Sequence, residues 1–534
     1  MNGTLLLFVF LPIFAGLFVY LLKPAQNKGI AVLIQLTLVG LSAVWCSRDL
    51  SQAILVPLLQ IPLPYGMALR IDRLGAFMML ISNLLFFLMV VFSFYKEYMT
   101  PLFLAIFLSL QGFINGVFLS VDIFNIYILV EVSTISVSIL IMFKKDSQSM
   151  YDGMFYLMTN LVGMAFFLLG LGYLYKLFGV LDFVHLSKAL PLLADKKALA
   201  IPFSLIFTGI SLKSALLPLF SWLPKAHGTA SAPSIVSAIL SGVYVKTGVF
   251  LLLRVHEVFG AVIPLQELIS VFGFATAIGG FVLAIAQSDI KLILAYHTVS
   301  QVGLILIGLG GGHPLNPVGG VYHILAHALF KGLLFLLAGV LIEIYGTRKI
   351  SEMRGLWQRS KFLSATMIVA ILSITGAPFF SGGFSKYFIA YGHEGIGFTV
   401  LFTLINAGTM TSFIKFFRIL GGKFPKPKSA FRLRKNQSFV YAVMTGICLI
   451  LGIFGEQVAA FVLGASLSYP IYRQAAKWLE YLALYALCAL LFRLWIEKSA
   501  VLRWVNKLEL TFNAVSLSIV GFFFFTFLYF QYRL

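Results

Sequence analysis

The chain has 534 residues, of which 60% are hydrophobic and 11% charged, and Phe alone occurs 53 times. Water-soluble domains carry roughly half apolar and a quarter charged residues, so this composition excludes a soluble enzyme and points to a protein built almost wholly of membrane spans. The formal net charge of +20 raises the question of an acidic partner, and the order of the elements answers it.

The opening MNGTLLLFVFLPIFAGLFVYLL has no basic residue before its apolar run and no small-residue cleavage site after it. It reads as a first helix that is retained rather than as a removed signal peptide. Apolar runs long enough to span a bilayer fall at about 3–22, 28–46, 73–94, 101–120, 122–143, 155–178, 201–222, 232–253, 262–286, 289–309, 319–343, 362–388, 396–416 and 438–464. Two further runs, near 477–495 and 509–531, raise the count from fourteen to sixteen. Between the sixth and seventh runs, KLFGVLDFVHLSKALPLLADKKALA is too short and polar for a domain and reads as an amphipathic segment at the outer surface.

Most of the basic loop residues sit in alternate loops. Odd-numbered loops carry Lys23 and Lys28, Lys96, Lys144 and Lys145, then Arg348, Lys349, Arg354, Arg359 and Lys361. A later odd loop, after Arg418, is GGKFPKPKSAFRLRKNQ, whereas even loops such as GGHPLNPVG and YGHEGIG have no Lys or Arg. The positive-inside rule then places the N-terminus outside, the odd loops in the cytoplasm and the C-terminus outside. Loop asymmetry accounts for the charge, and no nucleic-acid partner is expected.

Cys46, Cys448 and Cys488 stand singly in apolar stretches, with neither disulfide nor metal-ligand spacing. Nucleotide, phosphate and zinc motifs are missing from the sequence as well. Neither cofactor nor metal is expected, and any redox or hydrolytic chemistry linked to this chain belongs to another subunit.

The informative residues break the apolar rule. Glu131 lies in the fifth run, Lys213 in the seventh, Lys246 in the eighth, His323, His327 and Lys331 in the eleventh, and Lys386 in the twelfth. Each costs a few kcal/mol to insert, so this many at mid-helix depth argues for a proton or ion path rather than for scattered structural pairs. His323, His327 and Lys331 are spaced i, i+4, i+8 and share one helix face. Histidine exchanges protons near neutral pH, and a lysine removed from water can do so beside a carboxylate, whereas arginine stays charged. Glu131 is expected within ion-pair reach of Lys213.

Two of these runs carry helix breakers. Pro218 follows Lys213 by five residues, and Gly376, Pro378, Gly382 and Gly383 precede Lys386. Broken helices at membrane depth are tolerated where water or protein meets the freed backbone, and a matched pair points to repeats. Runs 4–8 and 9–13 would be two five-helix units. The expected segments are 1–100, 101–255, 262–418 and a C-terminal set, 438–534, available for partner docking. Asp72, Asp122 and Asp289 stand at helix starts, where a carboxylate caps the first amides.

Six ordered motifs between about Ile71 and Arg418 carry a family resemblance. They are IDRLGAFMM, SVDIFNIYILVEVSTIS, LKSALLPLFSWLPKAHGTASAPSIVSAILSG, QSDIKLILAYHTVSQVGLILIGLG, HILAHALFKGLLFLLAG and ITGAPFFSGGFSKYF. The chain resembles the antiporter-like proton-translocating subunits shared by respiratory complex I, membrane-bound hydrogenases and Mrp-type cation/proton antiporters. The resemblance implies an all-α polytopic fold of fourteen core spans in two inverted five-helix repeats, with broken helices 7 and 12 and about two further C-terminal helices. It implies a multi-pass protein of a prokaryotic cell membrane that works with other membrane subunits on protons, with Na+ left open.

Carried over by position, Glu131 is the acidic partner of Lys213, Lys246 passes protons to the second half, His323, His327 and Lys331 continue the path, and Lys386 is its terminal lysine. Phe220 stands where relatives commonly have a histidine, although His227 remains nearby. His297 stands where relatives commonly have serine and adds a candidate relay position. Three functions stay open: a proton-pumping subunit of a redox complex, a subunit of a secondary Na+/H+ antiporter, and an energising subunit of an inorganic-carbon transporter.

Overall fold

The computed structural model describes residues 3–21, 24–393, 395–424, 432–506 and 511–534. Lys23, and Lys426 and Lys428 of the basic loop after Arg418, lie outside the described residues. In chain order the first elements are α1 (Thr4–Leu21), α2 (Pro24–Cys46), β1 (Ile54–Pro57), β2 (Ala68–Ile71), α3 (Arg73–Ser93), α4 (Pro101–Leu119), α5 (Ile123–Ile141) and α6 (Ser147–Phe178). There follow α7 (Phe183–Ala189), α8 (Ala200–Lys213), α9 (Trp222–Gly228), α10 (Ser234–Ile239), α11 (Val245–Phe259), α12 (Leu265–Ala286), α13 (Ile290–Leu309) and α14 (Leu315–Tyr345). The last are α15 (Leu356–Arg359), α16 (Lys361–Thr375), α17 (Ser381–Ile389), α18 (Ile396–Leu420), α19 (Lys435–Ile453), α20 (Gly455–Leu463), α21 (Ile471–Leu491), α22 (Ala500–Val505) and α23 (Phe512–Arg533).

Among the described residues, fourteen helical segments are long and apolar enough to cross a membrane. The two predicted spans outside that set are the seventh and twelfth, and both are broken at the expected places. α8 stops at Lys213, the chain turns through Ala215 at φ 55°, and α9 resumes at Trp222. α16 stops at Thr375, Gly376 turns at φ 85°, and α17 resumes at Ser381. Such a φ favours glycine, and Gly376 closes the helix by donating from its N–H to the Leu372 carbonyl at 3.2 Å. On α8 the freed Leu212 carbonyl is taken by the Trp222 indole at 2.7 Å. The breaks are therefore satisfied by protein groups, as lipid-embedded backbone requires.

The contacts group into two compact units. Unit 1 holds Met1–Ala226, Val243–Leu265 and Thr511–Leu534; unit 2 holds His227–Gly242 and Gln266–Leu510. The division differs from the four segments read from the repeats in two places: His227–Gly242 falls in unit 2, and of the C-terminal set α23 falls in unit 1 while α19 to α22 fall in unit 2. In unit 1, α23 lies on α8, with Phe530 edge-on to Phe203 and Phe522 stacked on Phe207 at ring distances of 5.0 and 5.9 Å. In unit 2, α21 packs Tyr481, Cys488 and the following Phe492 against Met410 and Ile414 of α18.

Unit 1 also contains two features that the sequence pattern does not announce. A short antiparallel hairpin, β1 with β2, pairs Ile54 with Ile71 just before α3. Its alternating half-buried pattern is only four residues long, too short to stand out beside helical runs. The second is an amide ladder joining three helices. Gln35 of α2 and Gln111 of α4 exchange hydrogen bonds, Gln111 and Asn115 donate to Asn83 Oδ1 of α3 at 2.7 and 2.9 Å, and Asn83 donates to Ser42 at 2.6 Å. Polar side chains that meet between helices act as glue in an apolar solvent.

The three aspartates expected as caps perform that role. Asp72, Asp122 and Asp289 accept from the backbone N–H groups of Gly75, Asn125 and Lys291 at 2.9, 2.8 and 2.9 Å. Asp72 also receives Arg254 of α11 through two bonds of 2.7 Å. Burial pushes the Asp72 carboxyl up, but the Arg254 hydrogen bonds and charge outweigh it and hold it below the usual carboxylate range.

Candidate functional site

In unit 1 the site is built where α5, α6, α8 and α11 meet. Lys213 is the last residue of α8 and only 1% exposed. Its Nζ donates to Thr134 Oγ1 at 2.6 Å and to Asn160 Oδ1 at 3.2 Å, and it lies 5.0 Å from the Tyr244 ring centre. Thr134 donates its own hydrogen to the Val130 carbonyl at 2.7 Å, so towards Lys213 and Tyr244 it acts as an acceptor. Tyr156 donates to Tyr244 at 2.7 Å, completing a hydroxyl chain that ends on the lysine's partner.

Glu131 does not pair with Lys213. The carboxylate lies within electrostatic range of the ammonium, but no ion pair joins them among the described residues. Glu131 Oε1 is buried without a hydrogen-bond partner there. The reason is helical phase: Thr134, three residues on, shares the Glu131 face of α5 and reaches Lys213 with a shorter side chain. Ser211 and Ser214 of the Lys213 segment likewise bury hydroxyls without partners among the described residues.

Lys246 is fully buried on α11. Gly248, two residues on, lets α11 approach the start of the break: a Cβ there would stand 2.6 Å from the Ser214 backbone nitrogen. α10 and α11 form one span, Ser234–Phe259, with a π-helical turn at Leu240–Tyr244. Such turns recur at functional positions because they rephase the faces on either side. Here the turn supplies Tyr244 to the Lys213 network.

In unit 2, α13, α14 and α17 carry the expected histidines and their partners. His323 is fully buried, with Nδ1 2.8 Å from Ser385 Oγ and Nε2 3.1 Å from Gln301 Oε1. The Ser385 hydroxyl also lies 3.2 and 3.1 Å from the Ser381 and Gly382 carbonyls. Its hydrogen can serve a neutral His323 Nδ1, or turn to a carbonyl when that nitrogen is protonated. The pocket thus accommodates both protonation states of His323 without moving a backbone atom. His327 follows one turn on, its ring centre 6.3 Å from that of His323. Lys331 donates to the Leu294 carbonyl of α13.

His297 is fully buried, and neither ring nitrogen has a hydrogen-bond partner among the described residues. It stands on α13 four residues before Gln301, on the same side. His227 lies 3.5 Å from Thr298 through Nε2, and Thr298 meets Ser241 at 2.8 Å.

Lys386, 5% exposed, donates to the Ile374 and Thr375 carbonyls at 3.1 and 3.3 Å. These are the last carbonyls of α16, the negative end of the half-helix, which suits a cation. Lys386 also borders a cavity of about 600 Å³ that includes His393, Asn406, Glu480 and Tyr481. Tyr481 reaches Thr375 at 2.7 Å, so α21 closes one side of this chamber.

The structure therefore gathers Glu131, Lys213 and Lys246 in unit 1, and His323, His327, Lys331 and Lys386 in unit 2. Sequence reasoning missed Thr134, Asn160, Tyr156, Tyr244, Gln301 and Ser385. The only signal for them was a polar atom on the helical phase of a charged neighbour, as with Thr134 beside Glu131.

The family described as NADH:quinone oxidoreductase/Mrp antiporter, transmembrane, matches residues 120–414. NADH-quinone oxidoreductase subunit N of Desulforudis audaxviator is 31% identical over 436 residues, covering 77% of this chain and 86% of its own. The D-type subunit of the Na(+)/H(+) antiporter of Alkalihalophilus pseudofirmus is 29% identical over 333 residues, covering 61% of this chain and 66% of its own. The solved structure of the Mrp complex from Dietzia contains a chain of the same fold, with a TM-score of 0.78 at 21% identity over 92% of this chain and 99% of that one. The protein is thus a multi-pass membrane member of the NADH:quinone oxidoreductase/Mrp antiporter family.

Proposed function

We propose that the chain is the proton-conducting subunit of a multisubunit, redox-driven pump, and that its buried lysines and histidines carry the protons. The observation that supports this most is that, among the described residues, Lys213 and Lys386 are held by neutral oxygens. A structural ion pair would set a carboxylate against each ammonium, since an uncompensated buried charge is costly. Hydroxyl, amide and carbonyl oxygens serve a neutral amine as well, which still has two hydrogens to donate. Such a lysine can lose and regain a proton in place.

The order of transfer starts at Glu131 and Lys213, continues to Lys246, then to His323, His327 and Lys331, and leaves through the chamber beside Lys386. The N-terminus faces outside, by the loop charges. Assembly with other membrane subunits is supported by the relatives, each named as a subunit of an oxidoreductase or an antiporter. The Na(+)/H(+) antiporter relative favours a second reading, Na+/H+ exchange without a redox partner.

One experiment separates them. The intact complex is purified, placed in vesicles, and internal pH is followed after adding an electron donor or imposing a Na+ gradient. The redox reading predicts acidification driven by the donor and lost in Lys213→Met and Lys386→Met. A response to the Na+ gradient alone would move the assignment to the exchanger.

A further inference from the structure

In unit 2 a second cavity, about 200 Å³, opens where the ends of α12 and α18 meet the stretch between α21 and α22. Its lining contains four basic side chains, Arg354, Lys415, Arg418 and Arg503, against one carboxylate, Glu497. That carboxylate is already used: Arg418 holds it through two bonds of 2.7 and 3.3 Å. Lys415 is turned to the Ile285 and Gln287 carbonyls at 2.5 and 2.7 Å. Among the described residues Arg354 commits only Nη1, to the Ile350 and Met353 carbonyls, and Arg503 makes no ion pair. Two guanidinium forks therefore face a hollow with a surplus of positive charge.

The rim is the opposite in character. Ile285, Phe492, Ile496 and Leu502 border the cavity, and on the same stretch of chain as Glu497 and Arg503, outside that lining, Trp495 is 74% and Trp504 64% exposed. Exposed indoles flanking a span mark headgroup depth. A ligand filling this place needs a compact anion for the arginines and an apolar body for the rim.

We propose that the cavity is a binding site for the phosphate of an anionic phospholipid, with its acyl chains along the Trp495 face. Guanidinium forks match phosphate oxygens in pairs, and basic pockets between spans on the cytoplasmic side suit such headgroups. A free phosphate would share the arginines but would leave the apolar rim unused. The bound lipid would clamp the segment after α21 to the end of α18, next to the Arg418–Glu497 bridge.

The test uses the intact purified complex in neutral-lipid nanodiscs, titrated with spin-labelled phosphatidylglycerol. Wild type is compared with Arg354→Gln/Arg503→Gln, which leaves the Arg418–Glu497 pair in place, and with Arg354→Lys/Arg503→Lys. The glutamine pair should weaken binding roughly tenfold or more, since each basic group near the surface matters independently. The lysine pair should retain most of it, with assembly equal in all three. Inorganic phosphate at millimolar levels should not displace the lipid. Equal binding by wild type and the glutamine pair would overturn the proposal. So would displacement by phosphate, which would assign the site to the free anion, or failure to bind lipid because another subunit covers the cavity.

Discussion

Lys213 Nζ donates to Thr134 Oγ1 at 2.6 Å, and Thr134 stands three residues beyond Glu131 on α5. The hydroxyl, not the carboxylate, is the direct partner of the buried lysine. Glu131 is thereby left within electrostatic range but without the lysine's hydrogens.

Thr134→Val keeps the shape and removes the acceptor. Losing one hydrogen bond to a charged group, about 1.5–3 kcal/mol, is expected to slow coupled proton transfer by roughly tenfold or more. Thr134→Ser should stay within about threefold of wild type by the same scale. Vesicle acidification normalised to assembled complex measures both; equal rates in Thr134→Val and wild type would remove the hydroxyl from the path.

Tyr244→Phe deletes the hydroxyl between Tyr156 and Thr134 while keeping the ring over Lys213. The Lys213–Thr134 bond survives, so a milder effect is expected, about three- to tenfold on transfer. Unchanged transfer would make the tyrosine pair purely structural.

The amide ladder gives the contrasting case. Asn83→Ala leaves Gln111, Asn115 and Ser42 without a shared partner, at a cost of about 1–3 kcal/mol. The purified complex should melt several degrees lower, yet transport per assembled complex should match wild type. A transport defect exceeding the assembly defect would place the ladder in the proton path instead.

Much of this was legible in the sequence, and the boundary of legibility is physical. Spans announce themselves because apolar length is a one-dimensional property, and Pro218 and Gly376 mark breaks because backbone conformation is local. The caps at Asp72, Asp122 and Asp289 are local for the same reason. The Lys213 network is not. Thr134, Asn160, Tyr156 and Tyr244 come from separated stretches of three helices, and nothing in a run such as DIFNIYILVEVSTIS says which hydroxyl will meet a lysine 79 residues away. The Glu131–Lys213 contact failed as an expectation because charge was weighed and the competing Thr134 hydroxyl was not. The further run near 477–495 is part of a 26-residue apolar helix, Ile471–Ile496; its extension by a π-helical turn, Phe492–Ile496, left no mark in composition.

The Arg418–Glu497 bridge predicts a pH dependence confined to acid. Its hydrogen bond to Arg418 holds the Glu497 carboxyl below the usual range, with the charges of Arg418, Arg354 and Lys415 adding to this. A depressed folded value stabilises above the unfolded value of about 4.3 and loses that contribution as pH falls through the folded value. Hydrogen exchange of 492–506 should therefore be flat from neutral pH down to about 5 after correction for intrinsic rates, and rise only in stronger acid. Glu497→Gln should show the acid-level protection at every pH; a step near neutrality would contradict the assignment to this pair.

The most direct test of the central claim, that buried cations carry protons rather than hold structure, is Lys246 replaced by arginine. Arginine keeps the charge and the length but does not release its proton. Transport is measured in vesicles holding equal amounts of assembled complex with Lys246, Lys246→Arg or Lys246→Ala. The relay predicts that Lys246→Arg is blocked about as fully as Lys246→Ala. Near-normal transport in Lys246→Arg with none in Lys246→Ala would mean that a fixed charge suffices, and the relay would be wrong.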